Sequence, residues 1–254
     1  MRQDRKKNLI SIITVVKNGE STLENCIQSV LSQSYKNIEY IIINGNSTDG
    51  TNQIIEKYKD QLNLIIKEGD DSIWDAMNKG IKLAKGDIVG FLNSDDYYYN
   101  DTLKIVNHYF STQKIDFLFG SVEKYKLMHG YKPWKIKFSF GFYTSHSVGF
   151  FIKTKKHKEV GNYNPNYLSA DLDFFYKMIN NFKMQGIASK KNEIFGKFGK
   201  GGFSSKINYL DHLIDLNKIR LGNNQNYVFV NLIFLLKIIK KPFKFIKAIY
   251  NKYS

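Results

Sequence analysis

At 254 residues, with 43% of positions apolar, the chain has enough hydrophobic material for one large domain, or for one domain plus an extension. An excess of 38 Lys and Arg over 23 Asp and Glu gives a formal charge of +15, which points to an anionic partner: nucleic acid, anionic lipid or a phosphorylated substrate. A single cysteine, Cys26, excludes an intramolecular disulfide and a cysteine-based zinc site and fits a reducing cytosol.

Met1 is followed by the polar run RQDRKKN and then by an apolar segment too short for a signal-peptide core, so the chain is expected not to be secreted. From Leu9 to Val16 the residues are apolar and largely β-branched, broken only by Ser11 and Thr14, as in a strand covered on both faces of a parallel sheet. Leu23, Cys26, Ile27, Val30 and Leu31 then recur at helical spacing, with Ser21 expected as N-cap and Glu24 completing a capping box. The unit repeats: strand Ile38 to Ile43, polar turn Asn44 to Gly50, helix Thr51 to Tyr58; then strand Leu62 to Lys67 and helix Ile73 to Ala84. A fourth strand, Ile88 to Leu92, follows. Strands alternating with helices in this way predict an α/β fold with a mainly parallel sheet that binds its ligands at the carboxyl ends of the strands.

Asp95 and Asp96 stand just beyond the fourth strand, in FLNSDDYYY at 91 to 99. Adjacent carboxylates where a buried strand emerges are costly without a cation, so the pair reads as the seat of a divalent metal serving a phosphate-bearing substrate such as a nucleotide diphosphate. Two solvated loop acids are the alternative. Further on, Asp116 to Tyr125 reads as a strand, Asn162 to Pro165 as a turn, and Leu172 to Ile179 as a helix led by Asp171 and Asp173. The glycine and lysine stretch GKFGKGG, 196 to 202, has no apolar period and is expected to be a mobile loop.

The end of the chain changes character. Val228 to Ile239 is apolar apart from Asn231 and Lys237, and its twelve residues are too few to cross a hydrocarbon core of ~30 Å as a helix. From Leu235 onward six lysines (237, 240, 241, 244, 247 and 252) and no acid interleave with Phe243, Phe245, Ile246, Ile249 and Tyr250. Residues 228–254 therefore suit an in-plane helix on an anionic membrane surface; a helix docked on the domain with a solvated lysine face is the plainer reading. The expected division is a domain at 1–222 and a basic, amphipathic helical extension at 223–254.

Seven segments together resemble glycosyltransferase family 2, the inverting enzymes of GT-A fold that use nucleotide-diphosphate sugars. They are SIITVVKN at 11–18, INGNSTDGT at 43–51, IWDAMNKGIKLAKGD at 73–87, FLNSDD at 91–96, HSVGFF at 146–151, SADLDFFYKM at 169–178 and GGFSS at 201–205. Their order is the family's, and they look most like its bacterial branch that builds capsule, lipopolysaccharide and exopolysaccharide. The resemblance implies a metal-dependent hexosyl- or N-acetylhexosaminyltransferase with a UDP-sugar favoured as donor, Mn²⁺ or Mg²⁺ as cofactor, and a glycan or lipid-linked oligosaccharide as acceptor. With residues 228–254 read as a membrane-surface segment, the expected location is the cytoplasmic, inner face of a bacterial plasma membrane, and no nucleic-acid partner is expected.

The same resemblance assigns Asp95 to ribose and metal and Asp96 to direct metal coordination, with His146 completing the metal shell or contacting the diphosphate. It gives the catalytic base to Asp171, with Ala170 where the family carries Glu and Asp173 as a substitute orienting carboxylate. Donor-side positions are Val16, Asn18, Asn44, Asn46, Ser47, Asp75, Asn78, Asn93 and Ser94. Asn44 and Asn93 stand where the family usually has acids, and Met77 where many relatives carry an arginine toward the diphosphate, which leaves that role to Lys79 or a lysine of 197 to 206. These departures also motivate a rival reading, a glycosyltransferase-like assembly subunit without activity. A nucleic-acid module lacks any RNP, helix-turn-helix or zinc pattern, and a dehydrogenase would need GxGxxG where KNGEST stands.

Overall fold

A computed structural model of the chain describes residues 7–69, 72–138, 141–199, 202 and 207–253. The first half is the expected alternation: β1 (Ile10–Val16), α1 (Leu23–Leu31), β2 (Ile38–Asn44), α2 (Thr51–Tyr58), β3 (Leu64–Lys67), α3 (Ile73–Leu83) and β4 (Ile88–Phe91). Then come β5 (Tyr97–Tyr98), α4 (Thr102–Thr112), β6 (Phe117–Phe119), β7 (Ser121–Glu123), β8 (Leu127–Met128), β9 (Phe150–Lys153), α5 (Thr154–Val160), α6 (Ala170–Tyr176), β10 (Gly186–Ala188) and β11 (Ile194–Lys197). Three helices close the chain: α7 (Tyr209–Gly222), α8 (Tyr227–Lys240) and α9 (Pro242–Tyr253).

The central sheet has seven strands in the order β10-β6-β9-β4-β1-β2-β3, parallel except for β9, which runs against both β4 and β6. Side chains alternate across it, so a continuous apolar run serves two cores. Ile13, Val15, Ile41, Ile43, Phe91 and Phe150 face α3 and α6, whereas Ile10, Ile12, Tyr40, Ile42, Leu118 and Phe151 face α1, α2 and α4. A smaller sheet, β5-β11-β7-β8, stands beyond the carboxyl end of β4.

Four expectations are corrected here. Helix α1 starts one residue after Thr22 with no side-chain cap; Ser21 is not its N-cap, and Glu24 instead binds Lys57 and the Tyr58 hydroxyl. The strand expected over Asp116 to Tyr125 is two strands in different sheets, because the chain turns at Gly120, where a Cβ would stand 2.1 Å from the Phe195 ring. Gly196 and Lys197 belong to β11 rather than to a loop. The helix led by Asp171 is α-helical only to Tyr176 and continues as a wider turn of π type over Lys177–Asn181.

At the chain end α8 and α9 lean on α7. Val230 and Ile233 of α8 and Ala248 of α9 are buried, Asn208 donates to the Ala248 carbonyl, and the Tyr209 hydroxyl donates to that of Lys237. The outer faces stay open, with Ile239 72% and Phe243 84% exposed. No helix among the described residues is long and apolar enough to cross a membrane.

Between β9, α5 and α6 lies a buried aromatic block. The Tyr163 hydroxyl meets His146 Nε2 at 2.7 Å and His157 Nε2 at 3.1 Å, and the His157 ring stacks on Phe174 with centroids 4.4 Å apart. Burial pushes both imidazoles down to about 3. Unfolding returns each to its ordinary value near 6.5, so the unfolded chain binds more protons between about pH 6.5 and about 3. The stability these neutral rings contribute is present above that window and lost as the pH falls through it. The melting temperature is therefore expected to fall steadily from pH 7 to pH 5, and less steeply in His157→Gln; equal slopes in the two proteins, measured by circular dichroism, would show that His157 does not titrate on unfolding.

Candidate active site

The carboxyl end of β4 opens into a cavity of about 630 Å³. Its walls come from α3 (Trp74, Met77), the stretch after β4 (Asn93, Asp95), β7 and the turn after it (Val122, Lys124), the segment before β9 (Tyr143 to Ser147), the start of α6 (Asp171) and α7 (Tyr209, His212), with Lys244 of α9 at the rim. Three of the lining residues, Trp74, Asn93 and Thr144, hold buried polar atoms (Nε1, Oδ1 and Oγ1) that have no protein partner. Buried polar atoms without partners carry a desolvation cost that a polar ligand relieves.

The two neighbouring acids have different surroundings. Asp95 borders the cavity, and burial raises its carboxyl, opposed by the nearby Lys124 ammonium. Asp96 is turned inward and is 1% exposed: its Oδ2 accepts from the Ser147 hydroxyl and its Oδ1 from the Gly199 amide at 2.7 Å. Burial, and then the charge of Asp95, push Asp96 up to about 7. Of the expected metal pair, then, Asp95 borders the cavity and Asp96 braces it from behind. The glycine-rich stretch fits tightly here, since a Cβ on Gly202 would lie 2.6 Å from Asp95 Oδ2. Residues 200, 201 and 203–206, including most of GGFSS and two of the candidate lysines, fall outside the described residues.

His146 also lines the cavity, but its Nε2 is engaged by Tyr163 and its ring stacks on Phe91 with centroids 4.9 Å apart. Among the described residues no group of three or more His, Cys, Asp or Glu gathers as a metal cage. The donor set fits a hard divalent cation in another way: the Asp95 carboxylate and the unpartnered Asn93 Oδ1 are both oxygens, and such ions are commonly held by one or two carboxylates plus substrate phosphates.

Asp171, in the first turn of α6, borders the same cavity and accepts from the Tyr143 hydroxyl at 2.9 Å. Burial raises its carboxyl above the ordinary carboxylate range, opposed by that hydrogen bond. Asp173 is not beside it. The helix turns Asp173 away, into an ion pair with Lys177 at 2.7 Å and a hydrogen bond from Asn223 Nδ2 at 2.8 Å, so the residue expected as an orienting carboxylate joins α6 to the end of α7 and does not line the cavity. The backbone that delivers Asp171 is held by Asp215 of α7, whose oxygens accept from the Leu168 and Ser169 amides at 2.9 and 2.8 Å.

The remaining donor-side residues form a separate polar cluster at the ends of β1 and β2. Ser47 Oγ accepts from the Asn18 amide, Asn18 Oδ1 from the Thr48 amide, and the buried Asn44 side chain bonds the Ser47 amide and Asn52. Val16 is buried, Asn46 is exposed at φ +52°, and a Cβ on Gly19 would lie 3.3 Å from Ser94 Oγ, which joins this cluster to the Asp95 loop. Asp75 and Asn78 lie elsewhere. Asp75 pairs with Lys79 at 3.2 Å, and Asn78 exchanges two hydrogen bonds with the Tyr163 backbone, on the side of α3 away from the cavity lining. Lys79 is likewise held by Glu68 and the Gly69 carbonyl; among the described residues Lys124 is a cation beside the two acids, its ammonium 3.9 Å from the Phe198 ring centroid. Ser147 lies inside a motif already legible as HSVGFF; Lys124, Tyr143 and Asp215 carry no signal in the sequence beyond their residue type.

This fold is that of a known class. The glycosyl transferase family 2 profile matches residues 11–182, and the chain belongs to that family. Over 114 residues it is 39% identical to the UDP-Glc:alpha-D-GlcNAc-diphosphoundecaprenol beta-1,3-glucosyltransferase WfaP of Escherichia coli, covering 44% of this chain and 45% of that one. Over 94 residues it is 34% identical to the glycosyltransferase GlyA of Streptococcus pneumoniae serotype 4, covering 36% of this chain and 14% of that one. The matches thus span less than half the length of these relatives. The fold is GT-A: the S. aureus TarS 1-349 structure in complex with UDP-GlcNAc superposes with a TM-score of 0.68 at 19% identity, covering 89% of this chain and 70% of that one. The mannosyltransferase PcManGT from Pyrobaculum calidifontis, in complex with GDP-Man and Mn²⁺, superposes with a TM-score of 0.65 at 14% identity, covering 96% of this chain and 74% of that one.

Asp215→Asn keeps the size of the side chain but turns one acceptor into a donor facing a backbone N–H. The variant is expected to lose about 1–3 kcal/mol of stability in urea unfolding while its nucleotide affinity stays near that of the wild type. Unchanged stability would mean that α7 does not hold the Leu168 and Ser169 amides.

Proposed function

We propose that the protein is an inverting glycosyltransferase that moves a hexosyl or N-acetylhexosaminyl residue from a UDP-sugar to a hydroxyl of a lipid-linked glycan in bacterial surface-polysaccharide synthesis. The observation that carries this reading is that Asp95 and Asp171, from distant parts of the chain, line one cavity at the carboxyl end of β4. Support for the donor comes from the UDP-sugar named for the E. coli relative and the UDP-GlcNAc in the TarS complex, and support for a lipid-linked acceptor from the diphosphoundecaprenol in that relative's name.

In this reading the nucleoside lies against the polar loops after β1 and β2, and the diphosphate meets Asp95, Asn93 and Lys124. Mn²⁺ or Mg²⁺ held at Asp95 would offset the charge of the departing diphosphate. Asp96, already satisfied by Ser147 and Gly199, keeps the Asp95 loop in place. The acceptor hydroxyl oxygen attacks C1 of the donor sugar from the face opposite the diphosphate, the C1–O bond to phosphate breaks, and Asp171 Oδ takes the hydroxyl proton. A carboxyl raised by burial is a stronger base than an ordinary one, and the Tyr143 hydroxyl fixes its orientation.

Asp171→Asn is expected to keep donor affinity and to lower turnover at least about a hundredfold, the scale of losing a general base. Asp95→Asn is expected to abolish the part of UDP binding that depends on Mn²⁺, as read by titration calorimetry with and without EDTA. Wild-type transfer by the first variant, or metal-independent UDP binding by the wild type, would sink these assignments. An assembly subunit without activity would bind donor and hydrolyse none.

Residues 228–254 form the membrane-facing part of the proposed enzyme, on the cytoplasmic side, beyond a catalytic unit at 1–222. Lysines interleaved with the exposed Leu235, Ile239, Phe243 and Ile246 support this reading. Flotation with phosphatidylglycerol vesicles should be strong at low salt and weak at high salt, because charge attraction is screened within ~8 Å at physiological ionic strength. The variant Ile239→Ser/Phe243→Ser/Ile246→Ser should stay at the bottom of the gradient; flotation equal to that of the wild type would refute membrane docking through these helices.

A further inference from the structure

Beside the catalytic cavity lies a second one, of about 580 Å³, between α7 and α8. Its walls are apolar: Leu213 from α7 and Phe229, Leu232, Ile233 and Leu236 from α8, with Phe138 closing one end against Phe229. Three lysines, Lys237, Lys240 and Lys241, stand at its edge, and none of its lining residues is a carboxylate. Tyr209, His212 and Leu216 line this groove and the catalytic cavity alike, so the two are neighbours along the first two turns of α7.

We infer that this groove holds the first isoprenoid units of a lipid diphosphate acceptor, with the diphosphate at Lys237, Lys240 and Lys241 and the glycan reaching past Tyr209 and His212 toward Asp171. The inference rests on the transferase reading above and adds the location and chemistry of the acceptor's lipid end.

Charge and continuity select this occupant. An apolar trough with a cationic edge and no acid matches an amphiphile whose hydrocarbon begins directly at a strong anion. Lys237 is half-buried against that apolar surface, beside the Arg220 and Lys241 charges. A free nucleotide or sugar would leave the Leu and Phe walls in contact with water. A membrane lipid would fill the trough, but the wall that the groove shares with the catalytic cavity would then serve no purpose. The exposed apolar side chains farther along α8 and α9 lie where the rest of a long chain would remain in the bilayer.

The probes are farnesyl diphosphate and inorganic pyrophosphate, titrated calorimetrically into the full chain with EDTA present so that the Asp95 site does not compete. Farnesyl diphosphate should bind at least about tenfold more tightly than pyrophosphate, because its chain buries apolar surface in the groove. Leu232→Asn/Leu236→Asn, at two half-exposed positions, should abolish that difference while leaving pyrophosphate binding unchanged, and Lys240→Gln/Lys241→Gln should weaken both ligands. Equal affinity for the two probes, or an unchanged difference in the leucine variant, would overturn the inference. If the leucine variant does not fold, photolabelling of the wild type by a diazirine-bearing farnesyl diphosphate decides: label on α7 and α8 supports the groove, and label elsewhere refutes it. UDP binding with Mn²⁺ is measured on the same protein. UDP binding without a chain effect removes the groove alone, and a groove-dependent chain effect without UDP binding removes the transferase reading alone.

Discussion

The site depends on a buried carboxylate that stays out of the cavity. Asp96 accepts from the Ser147 hydroxyl and the Gly199 amide, and the same Ser147 oxygen accepts from the Asn93 amide, so one side chain joins the end of β4, the entry to β9 and the exit from β11. Removing it would leave two donors, the Ser147 hydroxyl and the Gly199 amide, without their acceptor. The residue after Ser147 is strained: Val148, β-branched and fully buried, sits at φ +66°, a conformation that persists only where the surroundings enforce it. With the loop fixed from behind, Asp95 meets the cavity at a set position.

Asp171 is placed from the opposite side by α7. Asp215 takes the two backbone amides just before α6, Tyr143 takes the carboxylate, and Asp173 ties the same helix to Asn223 at the end of α7. One helix therefore sets the position of the proposed base and forms a wall of both cavities. A change that tilted α8 or α9 would reach α6 through α7, which links the surface proposed to face a membrane to the proposed chemistry by packing rather than by a separate signal.

The aromatic block behind the cavity supplies the rigidity that such placement needs. His146 and His157 share one tyrosine hydroxyl, and Trp74, Phe91, Phe150 and Phe174 pack around them edge-on or stacked. A hydroxyl has a single proton, so at most one imidazole receives it and the other must donate its own N–H, which fixes the tautomers relative to one another. His146 thus borders the cavity as a neutral, oriented ring.

Elements whose information is local were legible in the residues themselves. The alternation of apolar runs and helical spacing located β1, α2, α3 and β4 to within a residue or two, because a strand buried on both faces must be apolar throughout and a covered helix must repeat its apolar face. The family's motifs, read in order, brought Asp95 and Asp171 forward as candidates. Tertiary structure alone decided which acid of each pair borders the cavity: Asp95 rather than Asp96, because Ser147 and Gly199 claim the latter, and Asp171 rather than Asp173, because two residues along a helix point in different directions. It also decided that the strand through Gly120 divides between two sheets, that Lys124 stands beside the acids while Lys79 is held elsewhere, and that Asp215 holds the approach to α6. Each of these depends on partners far away in the chain, and residue type and spacing carry no record of which distant backbone a side chain will meet.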